Sequence, residues 1–156
     1  SYNWGAGRLD RIRAIERYCF SAAAIISLLS AVVLFCFPGA VTALFLSGMD
    51  AAFLDTARLA IQLFALTYLT RWFSFATQSL MTAVERAMAA SLISISTALI
   101  FPVALIVLLW PLGLSGIWLN FAGTALLAAI LSLIILRKVR SELNKPDVET
   151  QAAEQN

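Results

Sequence analysis

The sharpest chemical feature of this 156-residue chain is an arginine inside an apolar run. Arg71 stands in Leu59–Val84, about 18 Å from the start of that run by helical rise. An unpaired charge at that depth in lipid costs at least a few kcal/mol. Thr67, Arg71, Ser74, Gln78 and Thr82 recur at i, i+3/i+4 spacing and set a polar stripe opposite Leu69, Phe73 and Leu80. Two kinds of chemistry suit such a stripe. Thr67, Arg71, Ser74 and Gln78 line an aqueous substrate cavity, or Arg71 hydrogen-bonds carbonyls or a carboxylate of an adjoining helix and locks a bundle.

Other chemistries are excluded by residue supply. The nine acidic residues, Asp10, Glu16, Asp50, Asp55, Glu85, Glu142, Asp147, Glu149 and Glu154, all fall outside the long apolar runs. A proton- or sodium-coupled pump needs a buried group that exchanges a cation, so these runs alone hold no coupling site. There is no histidine, and Cys19 and Cys36 sit in one apolar run about 25 Å apart along a helix, too far to bridge. No metal site or cofactor is expected, and no nucleophile–base pair supports an enzyme.

The elements that must position Arg71 follow from composition. Apolar residues make up 61% of the chain and charged ones 13%, against about 45–50% and about 25% in soluble domains. Lipid is therefore the expected solvent. Four runs are long enough to cross an apolar core of about 30 Å: Tyr18–Phe37, Leu59–Val84, Ala87–Trp110 and Gly116–Leu136. A backbone in lipid must satisfy its own hydrogen bonds, and no run alternates with period two, so the spans are expected as helices. Pro38-Gly39, Glu85-Arg86 and Pro111 with Gly113 separate them, and the short turns imply antiparallel neighbours. The predicted fold is an all-α membrane protein of four antiparallel transmembrane helices. Its segments are a basic entry over 1–17, spans over 18–37 and 59–84 around an external loop over 38–58, a kinked span over 87–110, a turn over 111–115, a last span over 116–136 and a tail over 137–156. Within the external loop, Val41–Leu46 suits a short amphipathic helix.

Nine of the eleven basic residues flank one side: Arg8, Arg11, Arg13, Arg17, Arg86, Arg137, Lys138, Arg140 and Lys145. The other side has Arg58. Both termini are thus expected to be cytoplasmic. In the third span Ala90, Ser94, Ala98 and Pro102 repeat every four residues, a packing face of small residues, and Pro102 is expected to kink the helix. Tyr18, Trp110 and Trp118 suit interfacial anchors. The tail beyond Arg140 is polar and expected to be disordered. The first dozen residues do not resemble a signal peptide, and a start at Ser1 without Met reads as an internal cut. A net charge of +2 gives no reason to expect nucleic acid.

Several stretches taken in order resemble one family. Ser1-Tyr2-Asn3-Trp4-Gly5-Ala6-Gly7-Arg8 with Asp10-Arg11, the stretch Phe37–Ala57, Gln78 ahead of Glu85-Arg86, Pro102, and Gly113-Leu114-Ser115-Gly116-Ile117-Trp118 are similar to the C-terminal lobe of multidrug and toxic compound extrusion (MATE) transporters. The resemblance covers about residues 1–140. It implies helices nine to twelve of a twelve-helix, two-lobed antiporter, hence a fragment whose partners include the missing N-terminal lobe. Such proteins export organic cations or amphipathic drugs in exchange for sodium ions or protons, which places this chain in a bacterial inner membrane. The stripe Thr67, Arg71, Ser74, Gln78 falls in the helix that faces the substrate cavity. Two departures matter: that helix has no Asp or Glu, and Ser94-Ile95-Ser96 stands where some members have an arginine. No coupling residue carries over. Alternative readings are part of a related lipid-linked precursor flippase and a non-transport four-helix scaffold.

Overall fold

The computed structural model describes residues 2–46, 48 and 50–143, and every regular element among them is helical. A single turn, α1 (Tyr2–Gly5), precedes α2 (Leu9–Cys36), which runs 28 residues without Gly or Pro, about 42 Å of helix. It stops at Phe37, whose φ of −122° lies outside the helical region, as expected for a residue ahead of proline. Pro38 opens α3 (Pro38–Phe45), where its fixed φ suits a first turn. Asp50 caps α4 (Ala51–Ala65) by accepting the Phe53 N–H at 2.9 Å.

The second apolar run does not form the uninterrupted helix expected over 59–84. It divides into α4 and α5 (Tyr68–Ala83), bent by 45°. At the break the ladder tightens to three-residue bonds, Thr67 N–H to Phe64 O at 2.9 Å and Leu69 N–H to Leu66 O at 3.2 Å. The buried Ser27 hydroxyl of α2 donates to Tyr68 O there at 2.8 Å, a side chain inserted beside the ladder from a neighbouring helix.

A π turn, Ser96–Ile100, joins α6 (Ala87–Ile95) to α7 (Phe101–Leu109), and in it Phe101 N–H reaches back five residues to Ser96 O. The widened turn sits directly before Pro102, which cannot donate to the ladder. A 3₁₀ turn, Trp110–Leu112, then leads to Gly113 and to α8 (Gly113–Leu143). α8 thus continues beyond Arg140; the rest of the tail expected to be disordered lies outside the described residues.

By length and apolar content α2 can cross a membrane, as can the helical stretch Ala87–Glu142, and the bent pair α4–α5 makes a third candidate if taken as one span. That 56-residue stretch is no single rod, which would extend about 84 Å. Asn120 Nδ2 donates to Pro102 O at 3.4 Å, Gly123 lies against Leu105, and Arg86 pairs with Glu142 at 3.3 Å, so the chain turns back at Gly113. α5 is central and touches α2, α6 and α8. Met81 of α5 is fully buried with Ala90 and Ile93 of α6 and Leu136 and Val139 of α8.

The distribution of side chains is the reverse of a water-soluble bundle. Ala31, Ala65, Ala125, Ala128, Ser27, Thr77, Thr124 and Ser132 are buried, while Ile26, Leu29, Leu44, Met88, Val107 and Leu108 are exposed. Small residues inside let helix backbones approach where burial of large apolar groups gives no driving force, and large apolar ones outside suit lipid. This pattern and the long apolar helices mark a membrane protein. The third-span face of small residues is used only in part: Ala90 is buried, Ser94 and Pro102 are half-buried, and Ala98 is exposed.

Between α5 and α6 the chain closes a Schellman motif, with Arg86 N–H on Met81 O and Glu85 N–H on Thr82 O. Its left-handed position belongs to Glu85, at φ 61°. Glycine takes that conformation without a Cβ penalty. Glu85→Gly is expected to raise stability by about 0.5–1 kcal/mol in a detergent unfolding titration; a decrease would show that the Glu85 side chain offsets its strain.

Candidate functional site

A cleft of about 370 Å³ opens where α2, the α4–α5 break and α8 meet. Ser27, Phe64, Thr67, Arg71, Phe75 and Phe121 border it, with Tyr68 and Trp72. Phe64 meets both Tyr68 and Phe121 edge to face, at 6.0 and 5.5 Å between ring centres, so the far wall is a packed aromatic cluster.

Of the four residues expected to line a cavity, two do. Arg71 is half-buried in the first turn of α5, its guanidinium carbon 4.9 Å from the centre of the Phe75 ring. Phe75 lies one helical turn on, so the cation–π contact is local to α5. Thr67 is 3% exposed, and its hydroxyl has no hydrogen-bond partner among the described residues. Ser74 is buried and donates to Arg71 O at 2.9 Å, turned along its own helix. Gln78 is half-buried and does not border the cleft; its backbone carbonyl accepts the Thr82 hydroxyl at 3.0 Å. The stripe therefore divides. Thr67 and Arg71 face the cleft, Ser74 enters the helix interface, and Thr82 is exposed.

The lock through a carboxylate or carbonyl, the other reading of Arg71, is not what the helices form. Among the described residues three ion pairs occur: Arg58 with Asp55, Arg86 with Glu142, and Arg140 with Glu16. None involves Arg71, and no side-chain hydrogen bond of Arg71 is found among those residues. The guanidinium thus presents a full positive charge to the cleft. With an effective dielectric of about 20, a second cation about 4 Å away would be disfavoured by about 4 kcal/mol and an anion favoured by as much.

Two larger clefts, of about 580 and 520 Å³, continue along α2 toward the arginine-rich end. They share Trp4, Glu16 and Phe20, and the second shares Trp72 and Phe75 with the Arg71 cleft. Their charged rim carries Arg13 and Arg17 beside the paired Arg140 and Glu16, so the groove is basic at that end, and Arg71 is the cation on the border of the cleft at the α4–α5 break. The fold also brings Glu16, Arg86, Arg140 and Glu142 together at one end, although their sequence positions are far apart.

Sequence reasoning missed a second polar seam. Asn120, Thr124 and Ser132 of α8 and Thr77 of α5 are buried, and the Thr124 hydroxyl donates to Asn120 Oδ1 at 3.1 Å. This orients the Asn120 amide toward Pro102 O. Gly116, Asn120, Thr124, Ala128 and Ser132 recur every four residues, and that spacing was the available signal. Ser27 offered none, because it is one of several serines in an apolar helix. No protein-family model, curated protein or solved structure matches the chain.

Proposed function

We propose that this chain is the substrate-lining part of a membrane antiporter of the multidrug and toxic compound extrusion kind. In this reading its limbs α2, α4–α5, α6–α7 and α8 are four antiparallel spans of a six-helix lobe, with both termini cytoplasmic in a bacterial inner membrane. The protein exports amphipathic organic compounds, organic cations among them, against sodium ions or protons. The observation that carries it is the discontinuous second span, broken at Leu66–Thr67 beside a cleft that holds Arg71 without a carboxylate partner among the described residues. Broken helices with polar groups at the break are how secondary transporters build binding sites within the bilayer. The arginine-rich end, where Arg86, Arg140 and their partners meet, supports the orientation. The acidic residues of these limbs, Asp10, Glu16, Asp55 and Glu142, stand toward their ends and not within the apolar stretches, so in this reading coupling ions are held by other parts of the transporter.

The test is efflux from cells lacking their own drug exporters that express the protein from its native gene. The probe is a fluorescent amphipathic quinolone with both an ammonium and a carboxylate group. Gradient-dependent loss of fluorescence is expected, lowered about tenfold in Arg71→Ala and partly retained in Arg71→Lys. Efflux unaffected by either variant would remove Arg71 from the pathway, and no efflux at all would sink the transport reading.

A further inference from the structure

The geometry points to the Arg71 cleft as a seat for the anionic end of an amphipathic molecule, a carboxylate or phosphate-type group, with its apolar body against the aromatic wall. Only the identification of that molecule as a transported substrate rests on the export reading above; the binding itself is a property of the chain. Three observations converge on negative charge. Arg71 is charged, half-buried, and without a carboxylate partner among the described residues. Its guanidinium carbon lies 4.9 Å from the centre of the Phe75 ring, a contact with the ring that uses none of the N–H donors, so the fork is left for two oxygens of one oxyanion. Thr67 borders the same cleft, and its hydroxyl is enclosed and without a partner among the described residues, so a ligand that draws that side chain toward the cleft gains an otherwise unused donor.

The surroundings offer little to a cation. The cleft has no carboxylate on its border, and the nearby Tyr68 carbonyl already accepts the Ser27 hydroxyl. Phe64, Trp72, Phe75 and Phe121 provide apolar surface beside the charge. A compound with both an ammonium and an acid group would thus place the acid at Arg71.

The experiment uses the purified protein in an uncharged maltoside detergent and two probes of similar size, dansylglycine, an anion, and dansylethylenediamine, a cation. Energy transfer from tryptophan reads binding, and Trp72 borders the cleft. Dansylglycine is expected to bind saturably and at least about tenfold more tightly than the cation. Arg71→Gln should weaken it at least about tenfold, Arg71→Lys about threefold, and Thr67→Val a few-fold, all with unchanged helical circular dichroism. Should Arg71→Gln fail to fold, Arg71→Lys and Thr67→Val carry the comparison. Displacement by benzoate identifies a soluble anion as the natural occupant, and displacement by phosphatidylglycerol but not benzoate identifies a lipid headgroup. Displacement by neither, equal binding of the cation, or binding indifferent to both Arg71→Lys and Thr67→Val would overturn the inference. No ion gradient enters this assay, so its failure and failure of the export reading register separately.

Discussion

Gly116→Ala is expected to lower the stability of the protein in detergent by about 3 kcal/mol and to open the return between α7 and α8. A Cβ at that position would stand 2.4 Å from Leu109 O and 3.2 Å from Leu112 Cβ. The first is a backbone atom at the end of α7, so no rotamer change relieves the overlap. Relief requires α7 and α8 to separate, which also removes the contact of Gly123 with Leu105 and the bond from Asn120 to Pro102 O. Gly113 acts by a different cause. Its φ of 58° with ψ of −133° is essentially restricted to glycine, while nothing lies within 4 Å of a Cβ built there. Gly113→Ala should therefore cost about 1–3 kcal/mol in backbone strain alone. Gly5 has neither constraint, and Gly5→Ala serves as the control. Thermal unfolding followed by circular dichroism reads all three variants; a Gly116→Ala protein that melts with the unmodified one would show that the return is looser than its geometry.

The contrast between these glycines and the α4–α5 break shows which parts of the fold were legible in sequence. Pro38, Pro102, Pro111 and Gly113 act on their own neighbours, so each irregularity near them is written locally. The break is not. Phe64-Ala65-Leu66-Thr67-Tyr68 contains no Gly or Pro, and the hydroxyl beside the ladder comes from Ser27, 41 residues away from Tyr68. The stripe Thr67, Arg71, Ser74 and Gln78 stands at or beyond the break on one helix, so a helical wheel gives its face but not how far the cleft at the break extends along it. Of the residues expected in the cavity, Thr67 and Arg71 border the cleft, while Ser74, buried along its own helix, and Gln78 lie outside it. Arg71 remained identifiable because its argument rests on charge in an apolar run and not on helix phase. Its contact with Phe75 is four residues along and was readable in principle. The absence of a carboxylate partner was not, since it depends on how α2 and α8 meet α5.

The small-residue seam of α8 supports the largest of the packing predictions. Ala128 is fully buried, and Asn120, Thr124, Ala125 and Ser132 are buried with it. These residues lie on the helix that packs against α5, and α5 carries Arg71. In lipid, exposed leucine and isoleucine gain nothing by moving inward, so association of α5 with α8 depends on close van der Waals contact between small groups. Ala128→Leu inserts three further carbon atoms where no space remains. It is expected to cost about 3 kcal/mol or more and to shift α8 away from α5. Phe121 would move with α8, and the Phe64–Phe121 contact that closes the cleft wall would open. Loss of dansylglycine binding should then accompany loss of thermal stability, although Ala128 does not border the cleft. Leu126→Ala, on the exposed side of the same helix, should change stability by less than about 0.5 kcal/mol and leave binding intact. If Ala128→Leu proved as stable as Leu126→Ala, the seam would not be the element that holds the aromatic wall against Arg71, and the cleft would have to be shaped by the α4–α5 break alone.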